Sequence, residues 1–186
     1  MAAGTTLYGF TIQLADADRS VFDEFELRIA RHPSETAEFM VTRLLAYCLE
    51  YEAGIAFSDG GVSSADEPAV VVRDLTGHLV AWIEVGAPDA GRVHRGSKRA
   101  SRAAVYTHRD PASVLDQLSG KRIHQAAEVP VYSFDRRFIA AAAAAIKRRN
   151  VASIAVTGRT LYLDVNGTAL STEIAEHRIT STPGNT

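Results

Sequence analysis

Apolar and polar residues alternate in two neighbouring stretches near the start of the chain. Over Leu7–Leu14 every second residue is large and apolar, and within Val21–Ala30 the same alternation runs from Phe25 to Ile29. This period of two is typical of strands with one buried face, and the polar segment ADADRS between them predicts a turn. We therefore expect an antiparallel hairpin with one face exposed to solvent.

The next segment has helical spacing instead. Pro33 blocks further strand, and Ser34 is a natural N-cap, which places Glu35 and Glu38 in a first turn, where acids suit the helix dipole. Gly54 predicts the end of the helix. Of the two acids, Glu38 lies closer to the apolar stripe and is expected to face a sheet. The stripe itself is Ala37, Val41, Leu44, Leu45 and Cys48.

The centre of the chain predicts strand, turn, strand and helix. Valine-rich Ala69–Leu75 and the run Leu79–Val85 suit half-buried strands, and Thr76-Gly77 suits the turn between them. Pro88-Asp89 opens a helix to about Arg102. Glu84 interrupts the apolar run AWIEVG, and a carboxylate there is costly unless it is paired, exposed or bound to metal.

Further strands and helices follow with short connections. Strand–helix alternation in the middle of the chain indicates an α/β core with some parallel pairing, and the terminal hairpins make this an α+β fold with a mixed sheet flanked by helices. We expect one domain over residues 1–180 and a frayed tail over 181–186. The predicted elements are a short piece Ile55–Phe57, strands Ala103–Thr107 and Glu128–Phe134, helices Asp110–Ser119 and Asp135–Arg149 (with the basic run Lys147–Asn150 at its C-terminus), and strands Val151–Thr157, Thr160–Val165 and Ala169–Ile174 or beyond.

Composition narrows the class of protein. The chain has 186 residues, enough for one sizeable core, and a net charge of −2, which provides no global attraction to nucleic acid. Cys48 is the single cysteine, so no internal disulfide forms. There is no signal-peptide pattern, and the longest apolar run, Phe138–Ile146, is too short to span a membrane. These features predict a cytoplasmic protein without a membrane segment.

The central hairpin is where chemistry is expected. With the turn at Thr76-Gly77, Ala69 lies opposite Glu84, with Cβ atoms about 5 Å apart. A metal-dependent nuclease holds Mg²⁺ between an aspartate and a glutamate at such a pair of positions. Here one position is alanine, and a bulge in the hairpin would shift the pairing.

Several segments resemble the YaeQ family in their order along the chain. They are a first strand with a tyrosine, ARHPSET, RLLAY, DEP, DLTG, WIEVG followed by PD, and VYTHRD, spread over the first two-thirds of the sequence. The resemblance implies a restriction-endonuclease-like fold, a variant of the PD-(D/E)XK nuclease core, in which a helix bearing an acid packs beside a central hairpin. The cellular role of the family is not settled.

The resemblance also assigns site positions. The strand acid is Glu84, and the acids of the first helix are Glu35 and Glu38. Three polar positions of the nuclease pattern are apolar here, because the EPD aspartate is Ala69, the lysine two residues after the strand acid is Gly86, and a frequent glutamine is Ala87. The remaining candidates are Glu84, Glu38, Glu67, Glu35 and Asp66 as Mg²⁺ ligands, and Glu84, Lys98 and Arg95 as catalytic groups.

Each candidate also has a plainer interpretation. In this interpretation Glu84 is a strand acid paired with a nearby Arg or Lys, and Glu38 is a first-turn acid favoured by the helix dipole. Asp66 and Glu67 are then ordinary loop acids. The basic run Arg92–Arg102 is either a solvated helix face or a phosphate-binding one. The six histidines have no HExxH or paired spacing, which argues against zinc.

Two functions remain open at this stage. The first is a non-catalytic module that binds nucleic acid through Arg92–Arg102, or a protein partner; loss of motif groups costs catalysis more than it costs fold, which favours it. The alternative is a Mg²⁺-dependent phosphodiesterase or nuclease that uses Glu84 and neighbouring acids. The substrate, the pathway and the oligomeric state are not specified by the sequence.

Overall fold

The computed structural model describes residues 4–59, 64 and 66–180, so the predicted tail at 181–186 lies outside the described residues. In chain order the elements are β1 (Thr6–Asp16), β2 (Val21–Arg31), α1 (Ala37–Leu49), β3 (Ile55–Phe57), β4 (Val70–Arg73), β5 (Leu79–Val85), α2 (Ala90–Arg99), β6 (Arg102–Thr107), α3 (Pro111–Leu118), a 3₁₀ turn (Ala126–Glu128), β7 (Pro130–Ser133), α4 (Arg136–Ala145), β8 (Arg149–Thr157), β9 (Thr160–Val165), β10 (Thr168–Glu173) and β11 (Ala175–Arg178).

The chain divides into two compact units. The first contains residues 4–51 and 134–175, and the second contains 52–133 and 176–180. Both contain a mixed sheet, so the mixed α+β class predicted from the sequence is confirmed, and the terminal strands β1, β2 and β8 to β10 form a sheet of their own. No helix among the described residues is long and apolar enough to cross a membrane.

The first unit is a five-stranded sheet with the order β10-β9-β8-β1-β2. The β1–β2 hairpin pairs antiparallel from Thr6 opposite Arg31 to Asp16 opposite Val21, as the alternation predicted. β8 joins β1 in parallel, and α1 and α4 contact each other beside the sheet. Cys48 is fully buried in α1, and this burial raises the pKa of its thiol to about 12.

The second unit is a six-stranded sheet with the order β11-β7-β6-β5-β4-β3. β4 and β5 are an antiparallel hairpin, while β6 and β7 continue the sheet in parallel. α2 connects β5 to β6 and contacts both. The core against these strands contains Trp82, Val93, Val105, Leu118 and Val131. The strand–helix alternation that the sequence predicts for this region is therefore confirmed.

The start of α1 differs from the prediction. The N-cap is Thr36, whose Oγ1 accepts a hydrogen bond from the Phe39 N–H at 3.1 Å, and not Ser34. A separate turn precedes the helix, because the Glu35 N–H bonds the His32 carbonyl at 2.9 Å. Placing Glu35 in the first turn was therefore wrong, and only Glu38 lies there.

The ends of two helices also differ. α1 stops at Leu49 rather than at Gly54. α4 stops at Ala145, and the run Lys147–Asn150, interpreted from sequence as its C-terminus, leads into β8. The buried side chain of Asn150 explains this second correction, since it accepts from the Lys147 N–H at 2.8 Å and donates to the Lys147 carbonyl at 2.7 Å. Such local bonds compete with helix continuation.

Candidate functional site: a buried glutamate held by an arginine

Glu84 lies near the end of β5 and is 3% exposed. Trp82 precedes it by two residues, so both side chains lie on the same face of the strand. The Trp82 indole N–H donates to Glu84 Oε1 at 2.8 Å. Glu84 is thus a buried strand acid with a donor supplied by its own strand.

Arg92 provides the opposite charge. Asp89 caps α2 by accepting from the Arg92 N–H at 2.9 Å, which fixes Arg92 in the first turn of the helix. The Arg92 Nε lies 3.2 Å from Glu84 Oε1 and 3.3 Å from Oε2. Its two Nη atoms donate to the carbonyls of Ser64 and Glu67, each at 2.8 Å. One guanidinium therefore joins β5, α2 and the loop before β4.

The electrostatics of the pair follow from its burial. Loss of water raises the pKa of Glu84 above its ordinary value, and the charge of Arg92 and the bond from Trp82 oppose that rise. The buried charge of Glu84 is tolerated because the half-buried Arg92 compensates it and its hydrogen bonds are satisfied. A cation approaching Glu84 would compete with the guanidinium for both carboxylate oxygens.

The catalytic candidates of α2 lie further along the helix. Arg95 is half-buried, and its Nη1 lies 3.4 Å from Oδ1 of the exposed Asp66. Lys98 is exposed, as is Arg99, whose guanidinium lies 5.9 Å from the centre of the Trp82 ring. The C-terminal half of α2 therefore presents three basic side chains, and the predicted basic helix ends at Arg99 because Arg102 already belongs to β6.

The acids of the first unit have other surroundings. Glu35 is 5% exposed, and its Oε2 accepts from the His32 N–H and from Arg43, each at 3.1 Å. Burial raises its pKa, opposed chiefly by Arg43. Glu38 is only half-buried. The expectation that Glu38 is turned inward more than Glu35 is wrong, because Glu35 precedes the helix and folds back onto Arg43.

The strand pairing around the site agrees with the predicted register. Val70 faces Ile83 and Val72 faces Ala81, with a shift only after Val72. Ala69 immediately precedes β4, so this register continues toward Glu84. Gly86 has φ +85° and donates its N–H to the Tyr106 carbonyl at 2.8 Å. A lysine at this left-handed position would be strained.

Three or more metal-ligating side chains are needed for a typical metal site. Among residues 4–59, 64 and 66–180, no group of three or more His, Cys, Asp or Glu side chains is placed to hold a metal ion. Of the proposed ligands, Glu84 is engaged by Arg92, Asp66 is exposed, and Glu67 bonds Arg92 through its backbone carbonyl.

Sequence reasoning grouped Arg92 with the phosphate-binding residues and missed its role as the partner of Glu84. A signal was present in the chain. Pro88-Asp89 predicts the helix start, which puts Arg92 in the first turn, and a first-turn residue directly after a strand lies close to the end of that strand. Placing Arg92 in this first turn would have identified it as the partner of Glu84.

The YaeQ family model matches residues 1–174 of this chain. The chain belongs to the YaeQ family. The YaeQ protein of Escherichia coli (strain K12) is 36% identical over 115 residues, which are 62% of this chain and 63% of that protein, so the match spans less than two-thirds of this relative. The YaeQ protein of Salmonella typhi matches over the same share.

Solved YaeQ structures have the same fold. The crystal structure of YaeQ from Pseudomonas syringae has a TM-score of 0.84 and 29% identity, covering 92% of this chain and 95% of that one. YaeQ from Xanthomonas axonopodis pv. citri has a TM-score of 0.81 and 24% identity, covering 94% and 98%. These likenesses confirm the fold of the described units.

Proposed function

We propose that this YaeQ-family chain is a non-catalytic nucleic-acid-binding module built on a nuclease-like core of the PD-(D/E)XK type. The observation that carries the proposal is the internal pairing of Glu84. Both oxygens of its carboxylate are engaged by Arg92, and one also accepts from Trp82. An arginine therefore supplies the positive charge that a metal supplies in an active nuclease.

The surrounding architecture supports this assignment. An antiparallel hairpin, a helix and a parallel strand follow one another in β4, β5, α2 and β6. The resemblance implies a central hairpin in the nuclease core, and β4 and β5 supply such a hairpin. Ala69 lacks a carboxylate, and Gly86 lacks an amine to position or activate water. We infer that the hairpin of such a core is kept while groups for hydrolysis are missing.

The binding surface is the C-terminal half of α2. Lys98 and Arg99 offer two exposed positive charges next to the Arg95–Asp66 pair, on a protein whose net charge is −2. Contacts to phosphate position a protein on nucleic acid without reading its sequence. We therefore assign α2 a backbone-binding role. Arg92 is excluded from this surface because its guanidinium is occupied within the second unit.

Neutralising Lys98 and Arg99 together, by substitution with glutamine, is expected to weaken nucleic-acid binding. Each lost phosphate contact lowers the slope of log affinity against log salt by about 0.7–0.9, so the slope should fall by about 1.5. Fluorescence anisotropy with labelled single-stranded and double-stranded oligonucleotides at several salt concentrations measures this. Arg137→Gln, which removes an exposed arginine from α4, is the matched control and should keep the wild-type slope.

Two results would overturn the proposal. One is the absence of binding to either oligonucleotide at low salt. The other is binding that the Lys98→Gln/Arg99→Gln variant retains at full strength and with an unchanged salt dependence.

A second candidate is a Mg²⁺-dependent phosphodiesterase. The observation that favours it is that the Glu84 carboxylate and the Glu67 carbonyl both accept from the Arg92 guanidinium. Two oxygens of the kind that binds Mg²⁺ therefore converge on one positive group. In this function Arg92 would leave, Mg²⁺ would bind Glu84 with help from Glu67 or Asp66, and Lys98 or Arg95 would stabilise the phosphate charge.

A further inference from the structure

β2 is a long strand at the edge of the five-stranded sheet. It contains eleven residues, and no other described strand pairs with its outer side. An edge strand presents a row of backbone donors and acceptors that can pair with another strand. The outward backbone groups of β2 and the charges along it specify what pairs with it.

Three contacts show which backbone groups point outward. Gly9, which faces Arg28 in the hairpin, directs its N–H toward β8, where it bonds the Arg148 carbonyl at 2.9 Å. The Glu24 N–H donates to Asp23 Oδ1 at 2.8 Å, and the Ala30 carbonyl accepts from Arg43 at 2.8 Å. In an antiparallel pair, residues alternate in this way. The outward groups belong to Phe22, Glu24, Glu26, Arg28 and Ala30.

The middle of this edge is open. Among the described side chains, those of Asp23 and Arg43 bond the edge at Glu24 and at Ala30, and none does so at Glu26 or Arg28, both of which are exposed. Glu26 and Arg28 thus present free backbone groups between two closed ends.

We propose that this edge pairs with β2 of a second copy of the chain, antiparallel and with Leu27 on the two-fold axis. In this register Glu26 faces the partner's Arg28, and Arg28 faces the partner's Glu26. At the ends Asp23 faces the partner's Arg31, and the reverse pair forms by symmetry. The two five-stranded sheets become one continuous sheet.

Charge selects this register over its neighbours. If the axis moves by one residue to Glu26, that residue meets the partner's Glu26; if it moves to Arg28, that residue meets the partner's Arg28. Like charges directly opposite each other on a sheet are destabilising. An axis between two residues sets outward backbone groups against inward ones, so no ladder forms. The register centred on Leu27 avoids all three faults.

Backbone bonds supply the affinity and the charges supply the register. Glu26 exchanges both backbone hydrogen bonds with the partner's Arg28, and the symmetric pair doubles them. The local bonds at Glu24 and Ala30 limit the ladder to the centre of the strand. This association is independent of the nucleic-acid surface proposed for α2 and goes beyond that function.

A charge-exchange series tests the proposal. Sedimentation velocity of the full chain in the micromolar range should show a dimer for wild type. Glu26→Arg and Arg28→Glu should each be monomeric, because each places two like pairs across the interface. The double variant Glu26→Arg/Arg28→Glu should dimerise again, and so should an equimolar mixture of the two single variants. Arg137→Glu, a charge reversal in α4, should leave the wild-type dimer unchanged.

A monomeric wild-type chain overturns the proposal. So does a dimer that both single variants retain, since another surface would then hold it. Circular dichroism of each single variant verifies that its fold is intact, and recovery of the dimer in the mixture separates loss of pairing from loss of fold.

Discussion

Arg92→Leu is expected to destabilise the protein by about 3–5 kcal/mol at neutral pH, the usual result of removing one partner of a buried ion pair. The substitution leaves the Glu84 carboxylate buried, with Trp82 as its remaining donor. It also removes the bonds from Arg92 to the carbonyls of Ser64 and Glu67. Urea denaturation followed by circular dichroism measures the loss of free energy of unfolding.

The pH dependence identifies the cause of that loss. Burial raises the pKa of Glu84, and the charge of Arg92 opposes the rise, so the leucine variant should raise this pKa further. A glutamate whose folded-state pKa lies above its unfolded value gains stability as pH falls through the folded value. The deficit of Arg92→Leu should therefore be greatest at neutral pH and shrink in acid.

A second variant separates charge from packing. Adding Glu84→Gln to Arg92→Leu removes the buried charge while keeping its shape, so the double variant should be more stable than Arg92→Leu alone at neutral pH. Two results would contradict this account: a double variant less stable than Arg92→Leu, or a loss of stability in Arg92→Leu that does not change with pH. Either would show that the Glu84–Arg92 ion pair does not stabilise the second unit.

Gly96→Ala is expected to destabilise the protein by about 3 kcal/mol, the upper part of the range for an overfilled core. A Cβ at Gly96 would lie 2.3 Å from Cδ1 of Trp82 and 2.6 Å from its Nε1. The Trp82 ring is 1% exposed and bonds Glu84, so it cannot move without disturbing the buried pair. Thermal and urea denaturation both measure the effect.

Gly91→Ala is the matched control in the same helix. Its Cβ would meet the Asp89 side chain at 3.0 Å, and alanine is favoured over glycine in a helix by about 1 kcal/mol. This variant should change stability by less than about 1 kcal/mol. Equal effects at Gly91 and Gly96 would show that helix propensity, not the contact with Trp82, determines the result.

Local patterns predicted most of the strands and, in the described part of the chain, three of the four helix starts, those of α2, α3 and α4. The alternation over Leu7–Leu14 and Val21–Ala30 indicated the first hairpin, because burial of one face requires a period of two. β5 begins and ends where the apolar run Leu79–Val85 does. Asp110 and Asp135 act as the N-caps that their positions indicated. These features depend on neighbours in sequence, which a single chain reveals.

Helix ends that depend on competing polar bonds were not predictable in the same way. Ser34 and Thr36 are both good N-caps by residue type, and the bond between the Glu35 N–H and the His32 carbonyl decides between them. The alanine-rich helix stops early because Asn150 bonds the backbone of Lys147. Such bonds are set by the fold around them, not by local preference.

The sequence singled out Glu84 but did not identify its partner. The unusual position of Glu84 in an apolar strand marked it for explanation, and its burial bears that out. Its partner was not identified, because the pairing joins β5 to α2 across eight residues and depends on how the helix packs. Its roles in metal binding and catalysis, and those of Glu38, Lys98 and Arg95, stay predictions.

Calorimetric titration of Mg²⁺ and Mn²⁺ into wild type and Glu84→Gln, at physiological salt, tests the central claim most directly. The claim is that Arg92 takes the place of a metal at Glu84. It predicts no binding that depends on Glu84, and therefore identical titrations for the two folded proteins. Saturable binding to wild type that is lost in Glu84→Gln would contradict it and would favour the phosphodiesterase.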